Sequence, residues 1–152
     1  MQGITGRSIA VTALAGAIVC GCASPPKTYT VENSSSVPDA YNVVWTRLMQ
    51  WFTSSQVQIK TIDKASGVIY AERASVANTD YADCGDPGIA ISIARPASMN
   101  VFVQPISAQQ TRVTITLTVT ETRSFDKNVF QVSCNSTGRL EREMLLAASN
   151  RR

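Results

Sequence analysis

No histidine occurs in the 152 residues of this chain. That absence excludes a Ser-His or Cys-His nucleophile pair and every histidine-ligated metal site. The four cysteines contain no Cys-x-x-Cys spacing, so a thioredoxin-like redox motif is excluded as well. Long hydrophobic runs are missing too. The apolar stretch at residues 9–20, I-A-V-T-A-L-A-G-A-I-V-C, falls well short of the roughly 20 residues that a helix needs to span a bilayer. Charge of one sign is scarce: 14 basic side chains stand against 11 acidic ones, scattered along the chain. That balance is too near neutrality to direct the protein to nucleic acid.

What the N-terminus does contain is the layout of an export signal. One basic side chain, Arg7, precedes the apolar stretch, in which Thr12 is the sole polar group; a core helix would need a polar face. Val19, Cys20, Gly21 and Cys22 follow. They resemble the bacterial lipobox, in which an aliphatic residue, a small residue and Gly or Ala precede the cysteine that is lipidated. The resemblance implies cleavage before Cys22 and acylation of Cys22, with Cys20 leaving in the signal. Lipidation at Cys20 would put the bulky Val19 at the cleavage point. Several acyl chains hold a protein on a membrane where one holds only reversibly, each buried CH₂ adding ~0.8 kcal/mol. Ala23 and Ser24 resemble the sorting pattern of Gram-negative lipoproteins sent to the outer membrane. The resemblance therefore puts the mature protein on that membrane, facing the periplasm, with membrane lipid as a partner through Cys22.

Removal of residues 1–21 takes away Arg7 and leaves 13 basic against 11 acidic side chains. About 130 residues remain, enough to bury one core. Two cysteines, Cys84 and Cys134, remain besides Cys22. An oxidising compartment and an even pair predict a disulfide between them. Closing a loop of that length is worth roughly 4 kcal/mol in the chain-entropy description.

Residues 22–36 read as a lipidated tether, extended near Pro25 and Pro26 and flexible after Asn33, with a weakly alternating stretch at residues 29–32. Residues 37–152 read as a single domain. Its first helix is expected over residues 37–53, with Ser36 and Asp39 imitating a capping box and Pro38 in the first turn. Tyr41, Val44, Trp45, Leu48, Trp51 and Phe52 recur on one face, and Asn42, Thr46, Arg47 and Gln50 face away. Both tryptophans are expected in the core. A hairpin follows, residues 57–62 and 68–73 around a turn ending in Gly67. A polar loop at residues 78–87 carries Cys84 and Tyr81, the aromatic expected to be exposed. Further strands are expected at residues 88–94, 100–105, 112–122 and 129–133. In the long one Val113, Ile115, Leu117 and Val119 alternate with Thr114, Thr116, Thr118 and Thr120, the pattern of a sheet with one buried and one wet face. Residues 136–149 read as a closing helix with Leu140, Met144 and Ala148 on one stripe. The expected fold is α+β: a two-layer sandwich in which an N-terminal and a C-terminal helix cover one face of a four- to five-stranded antiparallel sheet.

Residues 41–73, through W-T-R-L-M-Q-W-F and then V-Q-I-K-T-I-D-K-A-S-G-V-I-Y-A-E, resemble the helix-grip domain of an accessory lipoprotein of the outer-membrane β-barrel assembly machinery. Asp63 and Gly67 fill the Asp-x-x-x-Gly turn of that family. The resemblance implies a structural or assembly lipoprotein whose partners are other envelope proteins.

The acidic residues suggest no chemistry. Glu121, Glu141 and most others read as solvated surface, cap or turn groups. Asp80, Asp83 and Asp86 cluster in the loop, but their spacing misses the EF-hand pattern and its terminal Glu. No catalytic residue, metal ligand or cofactor is expected, and the chain does not read as an enzyme. Thr116 and Thr118 on the wet face, with Tyr81, are the expected interface residues. A periplasmic module binding lipid, glycan or peptide between helices and sheet is the alternative. The anchor is testable on its own: Cys22→Ala should abolish fatty-acid labelling and release the protein from membranes, and Cys20→Ala should change neither. Label persisting in Cys22→Ala would contradict the assignment.

Overall fold

A computed structural model of the chain describes residues 23–55, 57–76 and 80–150; the expected signal, the lipobox and Cys22 lie outside them. In chain order the elements are β1 (Ser34–Val37), α1 (Tyr41–Ser54), β2 (Gln58–Asp63), β3 (Val68–Arg73), β4 (Ala82–Asp83), β5 (Ile91–Ala94), β6 (Ala97–Ser107), β7 (Gln110–Phe125), β8 (Asn128–Ser136) and α2 (Arg139–Ala148). All the strand pairings are antiparallel. The α+β class stands. The strand count does not: the sheet has eight strands, in the order β2-β3-β6-β7-β8-β4, with β1 and β5 also on β7. Six of the eight overlap the strand segments expected along the chain, all of which join the one sheet; β1 and β4 have no expected counterpart and are two short strands held by backbone pairing, with little apolar alternation to announce them.

β7 organises the rest. Its residues pair with β6 from Gln110 to Val119 and with β5 from Thr122 to Ser124, while β1 takes Thr111 to Thr114 and β8 takes Val119 to Phe125. Overlap of these registers puts β6 and β5 along one edge and β1 and β8 along the other. The expected alternation holds: Val113, Ile115, Leu117 and Val119 are buried, and Thr116 and Thr118 are exposed. A two-residue turn, Asp126 and Lys127, closes β7 onto β8 with both φ values positive, the backbone of the hairpin turn that matches strand twist.

The helices cover the buried face. Val44, Trp45, Leu48 and Phe52 of α1 and Leu140, Met144 and Ala148 of α2 form one cluster with Ile69, Met99, Val101, Val113 and Ile115 of the sheet. Tyr41 and Trp51 are only partly buried at its margin. Arg47, expected to face solvent, instead joins the helices: its guanidinium donates to Asp39 at 2.6 Å and to the carbonyl of Ala148 at 3.1 Å. A cation on the last carbonyls of a helix is favourable there.

The start of α1 differs from expectation. Ser36 is a strand residue and Pro38 precedes the helix, whose cap is Ala40 with no side-chain bond. Asp39 is taken by Arg47, and its carbonyl accepts the Thr111 hydroxyl at 2.9 Å. α2 likewise begins at Arg139, because Ser136 still belongs to β8.

The β2–β3 hairpin has the expected turn. Asp63 accepts the backbone N–H of Ala65 at 2.9 Å and of Ser66 at 3.2 Å, and the Ser66 hydroxyl at 2.7 Å. These bonds, the Ser66 hydroxyl first, hold its carboxyl below the usual range. Gly67 has φ +71°, and a Cβ there would lie 2.0 Å from the Val103 carbonyl oxygen, so only glycine fits.

The segment expected as a slack tether is a strap laid along the body. Ser24 bridges to Asp86, Asn135 Nδ2 donates to the Lys27 carbonyl at 3.0 Å, the Tyr29 hydroxyl donates to Asp83 at 2.9 Å, and Ile115 N donates to Asn33 at 2.8 Å. Ser34–Val37 then joins the sheet. The Ser run is polar, yet its backbone pairs as well as any other.

Candidate functional site

Two regions gather the polar groups. The first is the disulfide loop. Cys84 and Cys134 are joined, with an S–S distance of 2.00 Å. The pairing of β4 with β8 sets Ala82 opposite Ser136 and Asp83 opposite Asn135; one step further along that register Cys84 faces Cys134. Cys134 therefore lies within β8, and the bridge fastens the loop at the edge strand β4 to it.

Each aspartate of this loop has a local partner. Asp80 pairs with Arg139 at 2.7 Å. Asp83 accepts Gly85 N at 2.7 Å and the Tyr29 hydroxyl, and these bonds hold its carboxyl below the usual range. Asp86 accepts Gly88 N at 2.8 Å. Among the described residues no group of three acidic or cysteine side chains is arranged to hold a metal ion. Tyr81 is not the exposed aromatic that was expected. It packs against the core, donates to Glu143 at 3.1 Å and lies under the Arg139 guanidinium, 5.6 Å from the ring centroid. Burial first, then the Glu143 charge, pushes its hydroxyl above the usual range.

Beneath this loop lies a cluster that the sequence reading missed. Glu121 is fully buried, accepting Arg95 Nε at 2.7 Å and Arg123 Nε at 2.5 Å. Arg123 continues to the carbonyls of Cys84 at 2.6 Å and Gly85 at 3.1 Å. Burial alone would raise the Glu121 carboxyl, but hydrogen bonds from Ser92, Arg95 and Arg123 outweigh it and hold the group below the usual range. Glu141 is also buried, in the first turn of α2, where the helix dipole favours an anion. It accepts the Ser136 hydroxyl at 2.7 Å, while its Oε2 has no hydrogen-bond partner among the described residues. Neither glutamate is the solvated surface group that was expected. A signal existed for Glu121 and Arg123: both continue the odd-numbered row that begins at Val113, so strand parity alone turns them inward.

The second region is the wet face of the sheet. Gln58, Glu72, Ser98 and Thr118 stand in one row across β2, β3, β6 and β7, and Tyr70, Asn100 and Thr116 in the next. An open cleft of about 390 Å³ includes Lys60, Glu72, Arg73, Ser98 and Thr118 in its lining. Glu72 accepts the Tyr70 hydroxyl at 2.7 Å and pairs with Lys60 at 3.7 Å. The Tyr70 hydroxyl is pushed above its usual range, first by that hydrogen bond and then by desolvation. The arrangement offers hydroxyls, amides and one ion pair to a surface laid against it. The structure thus brings Thr116 and Thr118 together on this face and separates them from Tyr81. No protein-family model matches the chain, and no curated protein matches it.

The buried cluster yields a test. Glu121→Gln leaves Arg123, whose side chain is 6% exposed, without its buried counter-ion. Stability at neutral pH should fall by about 3 kcal/mol, as when one side of a buried pair is removed. Because the folded-state carboxyl ionises below the usual range, its contribution is fully present above the unfolded pKa of about 4.3. It is lost as pH falls through the lower folded value. Urea titrations should therefore show the gap between wild type and variant narrowing on acidification below that pH. Equal stabilities at neutral pH would contradict the assignment.

Proposed function

We propose that this protein is a lipid-anchored envelope protein, held on the periplasmic side of the outer membrane through Cys22, that acts by contact with other envelope proteins. The anchor rests on the lipobox-like residues Val19 to Cys22. The observation that carries the contact reading is the wet face: four neighbouring strands expose a polar platform containing Thr116 and Thr118, with Phe102 45% exposed beside it. Such a platform with an aromatic anchor suits a partner surface, since a few aromatic residues carry most of the energy of an interface. The likeness of residues 41–73 to a helix-grip domain of the β-barrel assembly machinery points to the same class of partner.

Chemistry is a weaker reading, because the carboxylates of the Asp80 to Asp86 loop are engaged in turn and pairing bonds. A ligand held between helices and sheet is also weaker, because Leu48, Phe52, Met99, Ile115 and Met144 fill that space.

The test is co-purification of tagged protein from solubilised membranes. Thr116→Arg with Thr118→Arg should abolish recovery of envelope partners without unfolding the domain, since both positions are exposed. Asp→Asn changes at Asp80, Asp83 and Asp86 should leave recovery and cell function intact. Loss of activity on a small substrate after one of those changes, with every partner still bound, would replace the contact reading with an enzyme.

A further inference from the structure

The described chain begins at Ala23, the residue bonded to Cys22, and it begins against the body. A Cβ added to Gly88 would meet Ala23 N at 3.4 Å, and Asp86 N donates to the Ser24 carbonyl at 3.1 Å. The residue after Gly88 is Ile89, 71% exposed, and Ile91 and Ile93 follow at 70% and 57%. The register carries this apolar group across the sheet. Ile91 and Val129 pair with the same residue, Ser124, from opposite edges of β7, so they flank it on one face. Val129, Phe125 and Phe130 are all exposed on the β7–β8 hairpin; Phe130 pairs with Arg123 and Phe125 belongs to the same odd-numbered row, so these two leave the sheet on the face opposite to Ile91 and Val129. Arg123, two residues before Phe125, bonds the carbonyl of Gly85, against which the strap at Ser24 is laid. Six large apolar side chains therefore crowd the end of the molecule at which the described chain begins.

We infer that this end is a membrane-contacting tip, in which these side chains, from both faces of the sheet's end, enter the boundary between lipid headgroups and acyl chains beside Cys22. The inference rests on the proposed lipidation of Cys22. A lipid surface fits better than a protein for two reasons. First, the strap is pinned from Ser24 onward, so an acylated Cys22 has no tether by which the body could stand away from the bilayer. Second, the hairpin tip carries Asp126 and Lys127 side by side, a neutral pair that anionic lipid does not repel, with a lysine whose stem can lie on apolar surface while its charge stays in water. Scattered single hydrophobic residues need no explanation, but a grouped set at one end does.

The test places a photoreactive benzophenone side chain in the full-length protein at Ile91, at Phe130 and, as a control, at Thr116, and irradiates intact membranes. Mass spectrometry reads both the adducts and the N-terminal peptide. Lipid adducts at 91 and 130 and none at 116, with an acylated Cys22 peptide, are expected. An acylated peptide with no lipid adduct at 91 or 130, or with protein adducts there, overturns the membrane-contacting tip and leaves the anchor standing. An unacylated peptide with lipid adducts at 91 and 130 overturns the anchor and leaves the membrane-contacting tip, and an unacylated peptide without them overturns both.

Discussion

The inward-facing row of one strand decides most of this structure. Along β7 the odd-numbered residues from Thr111 to Arg123 are all buried, and the period of two that puts them there admits no exception without a bulge. From Val113 to Val119 the row is apolar and receives the two helices, while Thr111 before it gives its hydroxyl to the Asp39 carbonyl. Beyond Val119 the row continues as Glu121 and Arg123, still buried, and the contents of the interior change from packing to charge. Burying those charges is tolerable because each is met: the carboxylate by two arginines, the second arginine by two carbonyls of the disulfide loop. Such a cluster adds little net stability compared with apolar packing, but it is costly to break from one side.

That change of content explains how the loop and the strap are fixed. The polar loop buries little beyond Tyr81, Ala82 and Cys84, so the segment around Cys84 is held chiefly by the arginine beneath it and by the bridge to β8. The strap is then laid on the loop, through Ser24 against Asp86 and Tyr29 on Asp83, before its Ser run pairs with β7. Order passes from the sheet to the loop and from the loop to the N-terminal segment. The exposed apolar end lies where this series finishes, and the polar wet face lies on the open side of the sheet, so one molecule offers two surfaces of different chemistry.

The parts legible in the sequence are those in which side-chain pattern and burial coincide. The alternation from Val113 to Thr120, the stripe from Val44 to Phe52, the Asp63 to Gly67 turn and the Cys84 to Cys134 pairing all appear as read. The eight-stranded sheet was not legible, because β1 and β4 are held by backbone hydrogen bonds that any residue but proline can donate. Ser34, Ser35 and Ser36 look like a linker by composition and form a strand because an edge of β7 is open to them. Glu121, Glu141 and Tyr81 were misplaced for a common reason: composition assigned the charged groups to water and the loop aromatic to the surface, whereas strand parity, a helix N-terminus and a neighbouring arginine set their true surroundings.

The central claim is that β7 is the last element to open, since it has partners along both edges and carries the inward row. Native-state hydrogen exchange of the disulfide-intact protein measures this directly. The β7 amides paired with β6 should exchange only through global unfolding, while those of β2, whose described residues are all exposed, should exchange through local opening at lower free energy. Exchange of the β7 amides as fast as those of β2 would contradict the account.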